Sequence, residues 1–201
     1  MVTVKTSPGI FGFTLLELLV VMAIIALLTV LTLPAISNIS KGTSMTRAGQ
    51  VVADQFVLAR QEATGKNRDI QVRFVWKDDA PSGYKGIQLW AASAYDVTDY
   101  RPITRITWIP DGMLMSSQPV LSPLLASPTI VETNGVFPGR GNTKYCGFRF
   151  RSGGGTDLNF NSASNFITIV NEKDAAAGTA PANYAVIQVD PVNGRSHTYR
   201  P

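Results

Sequence analysis

The feature that most constrains this chain is an unbroken apolar run from Phe13 to Leu33. It spans 21 residues, and Glu17 is its only ionisable side chain. A helix needs about 20 such residues to cross the hydrocarbon core of a bilayer. A carboxylate near one end of such a helix is costly to bury unless something pairs with it. Three ordinary readings compete for the run. A secretory signal peptide would have a basic start, an apolar core of about 7–15 residues and a small-residue cleavage site. Lys5 and Ala35-Ile36-Ser37 approximate the flanks, but the core is too long and holds an acid. A plain single-pass anchor accounts for the length and for neither Gly12 nor Glu17. A helix buried in a soluble protein conflicts with apolar residues on every face.

At Gly12-Phe13-Thr14-Leu15-Leu16-Glu17 the sequence resembles the prepilin family, the type IV pilins and the pseudopilins of type II secretion. The resemblance implies that prepilin peptidase cuts between Gly12 and Phe13 and that Phe13 is then N-methylated. It implies that Glu17 meets the new N-terminal amine of a neighbouring subunit during assembly. Pro34 stands 22 residues into the chain so processed, where type IV pilins often carry a proline. A proline there also suits a helix that simply stops at the bilayer edge, since it removes one backbone hydrogen bond.

Residues 1–12 then form a leader with a single lysine, residues 13–38 a transmembrane and assembly helix, and residues 39–201 a globular domain. The positive-inside rule places the leader in the cytoplasm and the domain outside, which for a bacterial inner-membrane protein is the periplasm. Roughly 165 residues remain for that domain, enough for a core of its own. The net charge of +4 falls to +3 without Lys5, and acids alternate with bases, so no basic block marks a nucleic-acid protein. Cys146 is the single cysteine, so the domain is held by packing without an internal disulfide. Many pilins carry a C-terminal disulfide, and this chain departs from them.

Beyond a polar patch, Ala48, Val52, Phe56, Ala59 and Ala63 recur at helical spacing. We read Met45–Thr64 as the second half of one long helix, with Gly65 as its C-cap. Ala59-Arg60-Gln61-Glu62-Ala63 with Asn67-Arg68, and Trp108-Ile109-Pro110-Asp111-Gly112, resemble minor pseudopilins of the GspH/FimT type. Ile70, Val72, Phe74 and Trp76 alternate with polar residues as a strand with one buried face does. Further strands are expected at 84–91, 103–109, 145–150, 166–170, 184–189 and 195–199. Asp190-Pro191-Val192-Asn193-Gly194 supplies the hairpin turn before the last. Residues 115–141, rich in proline and poor in periodicity, read as an irregular surface insertion. The expected class is α+β: a pilin-like long N-terminal helix, its first half transmembrane, packed on an antiparallel sheet.

Little in the sequence points to an enzyme, a metal or a cofactor. His197 is the one histidine, and no His/Cys cluster has ligand spacing. Gly153-Gly154-Gly155 lacks the following helix that a phosphate cradle requires, and Asp78-Asp79 fits a solvated turn. Cys146 lies on an apolar strand face, as a small core residue does.

The C-terminal Gly194-Arg195-Ser196-His197 is similar to the basic Gly-Arg-x-Arg motif of FimT-like proteins that take up DNA. Here His197 replaces the second arginine; Arg200 is close, and Arg149 and Arg151 could share the surface. Two functions follow. One is a structural subunit that joins other pilin or pseudopilin subunits in a type IV pilus or type II secretion pseudopilus. The other is a pilin-like ligand-binding module, for example a DNA receptor using Arg195, His197 and Arg200.

The processing expectation is open to direct measurement. Mass spectrometry of the protein from its native membrane should find a chain beginning at N-methylated Phe13. An intact Met1, or a terminus near Ser37, would contradict it.

Overall fold

The computed structural model describes residues 14–160 and 162–200, with side chains given outside 31–41 and 162. Gly12 and Phe13 lie outside the described residues, as does the side chain of Pro34. The chain divides into two units, Met1–Lys41 and Gly42–Pro201.

One helix, α1 (Leu15–Gly65), contributes to both. It runs through Pro34, so the reading in which the helix stops there is not met. In the first unit every described side chain from 14 to 30 is exposed. Among the described residues no helix is long and apolar enough to cross a membrane, so the expected transmembrane first half finds no support in them. The apolar stretch with described side chains, 14–30, is 17 residues long and falls short of the about 20 a span requires.

In the second unit α1 carries the expected stripe. Met45, Ala48, Val52, Phe56, Ala59 and Ala63 are all fully buried. The helix does not end as expected, however. Gly65 is its last residue, and the left-handed position belongs to Asn67, with φ +48°. Arg68 N–H then donates to the Ala63 carbonyl. Asn tolerates this conformation because its short polar side chain can bond locally.

The sheet follows as β1 (Ile70–Lys77), β2 (Gly83–Ala92), β3 (Tyr100–Pro102), β4 (Thr107–Trp108) and β5 (Met113–Met115). After a short helix α2 (Pro123–Ala126) come β6 (Ile130–Phe137), β7 (Gly141–Phe150), β8 (Phe166–Asn171), β9 (Ala185–Val189) and β10 (Ser196–Tyr199). The strand order is β10-β9-β8-β5-β2-β1-β7-β6, all neighbours antiparallel, with β3 and β4 also on β2. The α+β class expected from the sequence is therefore observed.

Register decides which side chains meet the helix. Ile70, Val72 and Phe74 stand opposite Ala91, Leu89 and Ile87 on one side, and opposite Phe150, Phe148 and Cys146 on the other. All of these are buried. Phe56 of α1 enters this surface, with ring centroids 6.2 Å from Phe74, 5.5 Å from Phe148 and 6.5 Å from Phe150.

Three strand expectations need correction. Of the strand expected at 103–109 only the two residues of β4 are observed, with β3 just before that range, and both pair with β2. Between them the Leu89 N–H is met by the Thr104 hydroxyl at 3.0 Å, and Gln88 Nε2 donates to the Thr104 carbonyl at 2.8 Å. Side chains replace the ladder there, so the backbone leaves strand geometry. β5 had no sequence signal, yet it joins the two parts of the sheet, pairing with β8 at three positions and with β2 at Tyr84–Met115. Residues 115–141 are not irregular throughout. They hold α2, whose Leu124 and Leu125 are buried, and all of β6, which pairs with β7. β6 lacked alternation because most of it is exposed at the sheet edge.

The one-face burial expected for the strands is also too simple. All ten residues of β2 are buried. Its second face is covered by Val75, Trp90 and Phe137, packed with Tyr100, Ile106 and Tyr145.

The dependence of the domain on Phe56 gives a quantitative expectation. A fragment of residues 42–201 should unfold in one cooperative transition. Phe56→Ala should lower its stability by about 3–5 kcal/mol, the usual cost of truncating a buried aromatic. Val57→Ala, at a neighbouring exposed position, should change it by less than about 0.5 kcal/mol. Chemical denaturation followed by circular dichroism measures both, and a broad non-cooperative loss of signal would contradict the folded unit.

Candidate functional site

Three regions carry exposed or unusual chemistry. The first is the start of α1. Glu17 N–H donates to the Thr14 hydroxyl at 3.2 Å, and Leu18 N–H donates to the Thr14 carbonyl. Thr14 is thus the N-cap, and Glu17 is the third residue of the helix. Threonine followed three residues later by glutamate is a helix-start pattern, legible in the sequence and missed when the acid was read only as an assembly contact. The bond uses the backbone of Glu17. No cation pairs with its carboxylate among the described residues. Around it the helix surface is apolar on all sides, with Leu15 90% and Val30 70% exposed.

The second region is the C-terminal hairpin. β9 and β10 pair from Ser196–Val189 to Tyr199–Val186, and Gly194 (φ +66°) closes the turn. A Cβ at Gly194 would lie 2.3 Å from the Gly154 carbonyl oxygen, so the position accepts only glycine. The three residues proposed for DNA are divided here. His197 stands opposite Gln188, and Arg195 is exposed ahead of the strand. Arg200 instead bonds to the Thr46 hydroxyl on α1 and to Asn183 Oδ1 at 3.2 Å. Arg149 is committed to Asp157, 3.4 Å away. Of these cations, Arg149 and Arg200 thus already have protein partners.

The third region is the sheet face turned away from α1. Gln71 and Arg73 of β1 point there, opposite Trp90 and Gln88 of β2 and Arg149 and Gly147 of β7. The Arg73 guanidinium lies between two rings, 3.9 Å from the Trp90 centroid and 4.6 Å from that of Tyr145. Burial pulls its pKa below the ordinary arginine value, opposed by Tyr145 and Tyr100. Sequence reading passed over Arg73 as the polar partner in an alternating strand. Only the register shows that its neighbours on both sides are aromatic. Arg140 stacks over Trp108 at 5.0 Å, beside a cavity of about 680 Å³ that Arg105 also lines.

On the helix side lies a polar cluster. Tyr84 O–H donates to Glu132 Oε2 at 2.5 Å, and Lys144 Nζ is 2.9 Å from Glu132 Oε1. Lys144 also sits 4.7 Å from the Trp76 ring, which meets Tyr84 edge-on. Burial raises the Tyr84 phenol, and adjacent Cys146 and Glu132 raise it further. Burial pushes the Cys146 thiol up to about 12; Tyr84 bonding lowers it and Glu132 raises it. Among the described residues no group of three His, Cys, Asp or Glu side chains could hold a metal ion.

No family model matches the chain, and no curated protein matches it. Among solved structures it is similar to the minor pseudopilin EpsH from the type 2 secretion system of Vibrio cholerae, at 12% identity and TM-score 0.46. That match covers 79% of this chain and 98% of the other.

The buried thiol yields a test. Its ordinary value is 9.0, so a value of about 12 leaves roughly a thousandfold less thiolate at a given neutral pH. The fold favours the protonated form. Its contribution to stability is whole below pH 9 and is lost as pH rises toward 12. Iodoacetamide should modify native Cys146 at least a hundredfold more slowly than the urea-unfolded chain, because the thiolate is the nucleophile. Equal rates would show that β7 opens readily.

Proposed function

We propose that this chain is a pilin-like structural subunit, anchored and assembled through the first part of α1. The observation that carries the reading is the exposed apolar surface from Leu15 to Val30, with one carboxylate in its first turn. Contiguous apolar surface of this extent marks an interaction with lipid or protein. The same helix continues into the buried stripe of the domain, so one element serves both attachment and fold.

In this reading prepilin peptidase removes residues 1–12 and leaves Phe13 as the N-methylated terminus. The chain waits in the bacterial inner membrane, with the leader cytoplasmic and the domain periplasmic. Helices 13–38 of neighbouring subunits, in a pilus or a type II secretion pseudopilus, then pack as a fibre core. Pro34 falls where a helix in such a core can bend. The 21-residue length of Phe13–Leu33 supports the membrane stage. DNA binding has less support, since Arg200 is engaged with Thr46 and Asn183.

Glu17 provides the test. A carboxylate in an apolar core is tolerated when an amine neutralises it, and removing one partner leaves the other charge unpaired, typically at about 3–5 kcal/mol. Glu17→Ala should be inserted and cut normally, yet crosslinking between adjacent N-terminal helices should fall at least tenfold. Glu17→Gln separates the helix-start role from the charge, because it keeps the side-chain shape and the capping backbone. Undiminished crosslinking in both variants would sink the assembly role of this acid.

A further inference from the structure

Arg73 lacks what a half-buried cation ordinarily has, a carboxylate partner. Among the described residues six ion pairs occur, and none includes it. The acids of this face are engaged elsewhere. Asp157 is held by Arg149, Asp99 by Arg101, and Asp96 by the Thr98 hydroxyl and N–H. Withdrawing a charge from water without a carboxylate is unfavourable, and here two rings and one neutral amide oxygen offset it.

The guanidinium is nevertheless held firmly. Its Nε and Nη2 both donate to Gln71 Oε1, at 2.8 and 2.6 Å. That bond occupies one edge of the fork, and among the described residues the Nη1–Nη2 end has no acceptor. Arg73 lines a cavity of about 530 Å³, together with Gln71, Trp90, Val97, Thr98 and Arg149. The sandwich of Trp90 and Tyr145 blocks approach from above and below the guanidinium plane. A ligand must enter edge-on.

We propose that this cavity is a carboxylate-binding site, in which the Nη1–Nη2 end of Arg73 takes a flat carboxylate as a bidentate pair. Arginine matches that geometry with two parallel N–H donors, and charge-assisted bonds of this kind are about twice as strong as neutral ones. Arg149 also lines the cavity, but its charge is paired with Asp157, so Arg73 is the lining cation without a carboxylate. A planar group in the guanidinium plane, beside the Trp90 ring that lines the cavity, fits better than a tetrahedral phosphate. Nucleobases gain little here, because Trp90 is only 8% exposed and its face is already occupied by Arg73. The carboxylate can come from an acidic peptide segment or from a small dicarboxylate. The site is built from residues of the second unit alone and does not depend on the assembly reading.

The test is calorimetric titration of the full-length protein in detergent micelles with a capped tetraglutamate peptide, with succinate and with inorganic phosphate. Wild type should bind a carboxylate probe and bind phosphate at least tenfold more weakly. Arg73→Lys keeps the charge and loses the fork, so carboxylate affinity should drop at least tenfold. Val97→Glu sets an acid at an exposed part of the cavity lining, 76% accessible. It should weaken binding to a similar extent while the melting temperature stays unchanged, which decides the matter if Arg73 variants fold poorly. Tighter binding of the peptide assigns the source to an acidic segment, and tighter binding of succinate assigns it to a small molecule. No carboxylate binding by wild type, unaltered affinity in both variants, or preference for phosphate overturns the proposal.

Discussion

Burial of the α1 stripe against the sheet is the interaction on which the domain depends. Phe56 is its centre, meeting Phe74, Phe148 and Phe150 from β1 and β7. Each ring removes a large apolar area from water, and edge-on pairs add about 0.5–1.5 kcal/mol beyond that area. The small residues Ala48, Ala59 and Ala63 matter as much, since they let the helix lie close to the strands. Once this contact fixes the inward face, the period of two fixes the outward one. A slip of one residue in β1 would exchange Phe74 for Arg73 against the helix.

The outward face is therefore a consequence of the core and not an independent surface. Gly147 illustrates the coupling. It stands opposite Arg73, and a Cβ there would lie 1.9 Å from the Val72 carbonyl oxygen, so β7 can approach β1 this closely only with glycine. Across the other neighbour, Trp90 is braced by Phe137 at 5.6 Å, and Phe137 in turn by Tyr145 at 5.4 Å. The rings that hold Arg73 are thus anchored by β6, the strand that sequence reading had assigned to an irregular insertion. β5 has a comparable role at the centre of the sheet. Its contact with β2 is narrow, and the Lys85–Glu172 pair at 2.6 Å spans the same junction from β2 to the end of β8.

What the sequence made legible was whatever repeats with a period. The stripe from Ala48 to Ala63 and the Cys146, Phe148, Phe150 face were read correctly, because burial on one side leaves a regular trace; the alternation from Ile70 to Trp76 marked a strand, but Gln71 and Val75 on its other face are buried as well. The Asn193-Gly194 turn was legible through local backbone chemistry. β5 was not, because three residues between a turn and a loop are too few to show alternation. β6 was not, because an exposed edge strand keeps no apolar rhythm. The break at Thr104 was hidden because a hydroxyl took over a ladder bond, and Asn67 was hidden behind the more obvious Gly65. At the candidate sites the limit was different. The sequence supplied Glu17 and the C-terminal cations as residues, but only three-dimensional register shows that Arg73 is caged and that Arg200 turns toward α1.

Glu17 combines two constraints that use different atoms. As the third helical residue it offers its N–H to Thr14, and as an acid in the first turn it faces the positive end of the helix dipole. The dipole contribution is about 0.3–1 kcal/mol at an exposed site. That is small beside the cost of holding an unpaired carboxylate in apolar surroundings. Helix initiation alone therefore does not account for an acid in this run, since serine or threonine capping would suffice without one. Because the capping bond consumes only backbone, both carboxylate oxygens stay available to a cation supplied from outside the helix. The local role sets where the carboxylate sits, among exposed apolar side chains of the same helix, and leaves its charge for a contact outside that helix.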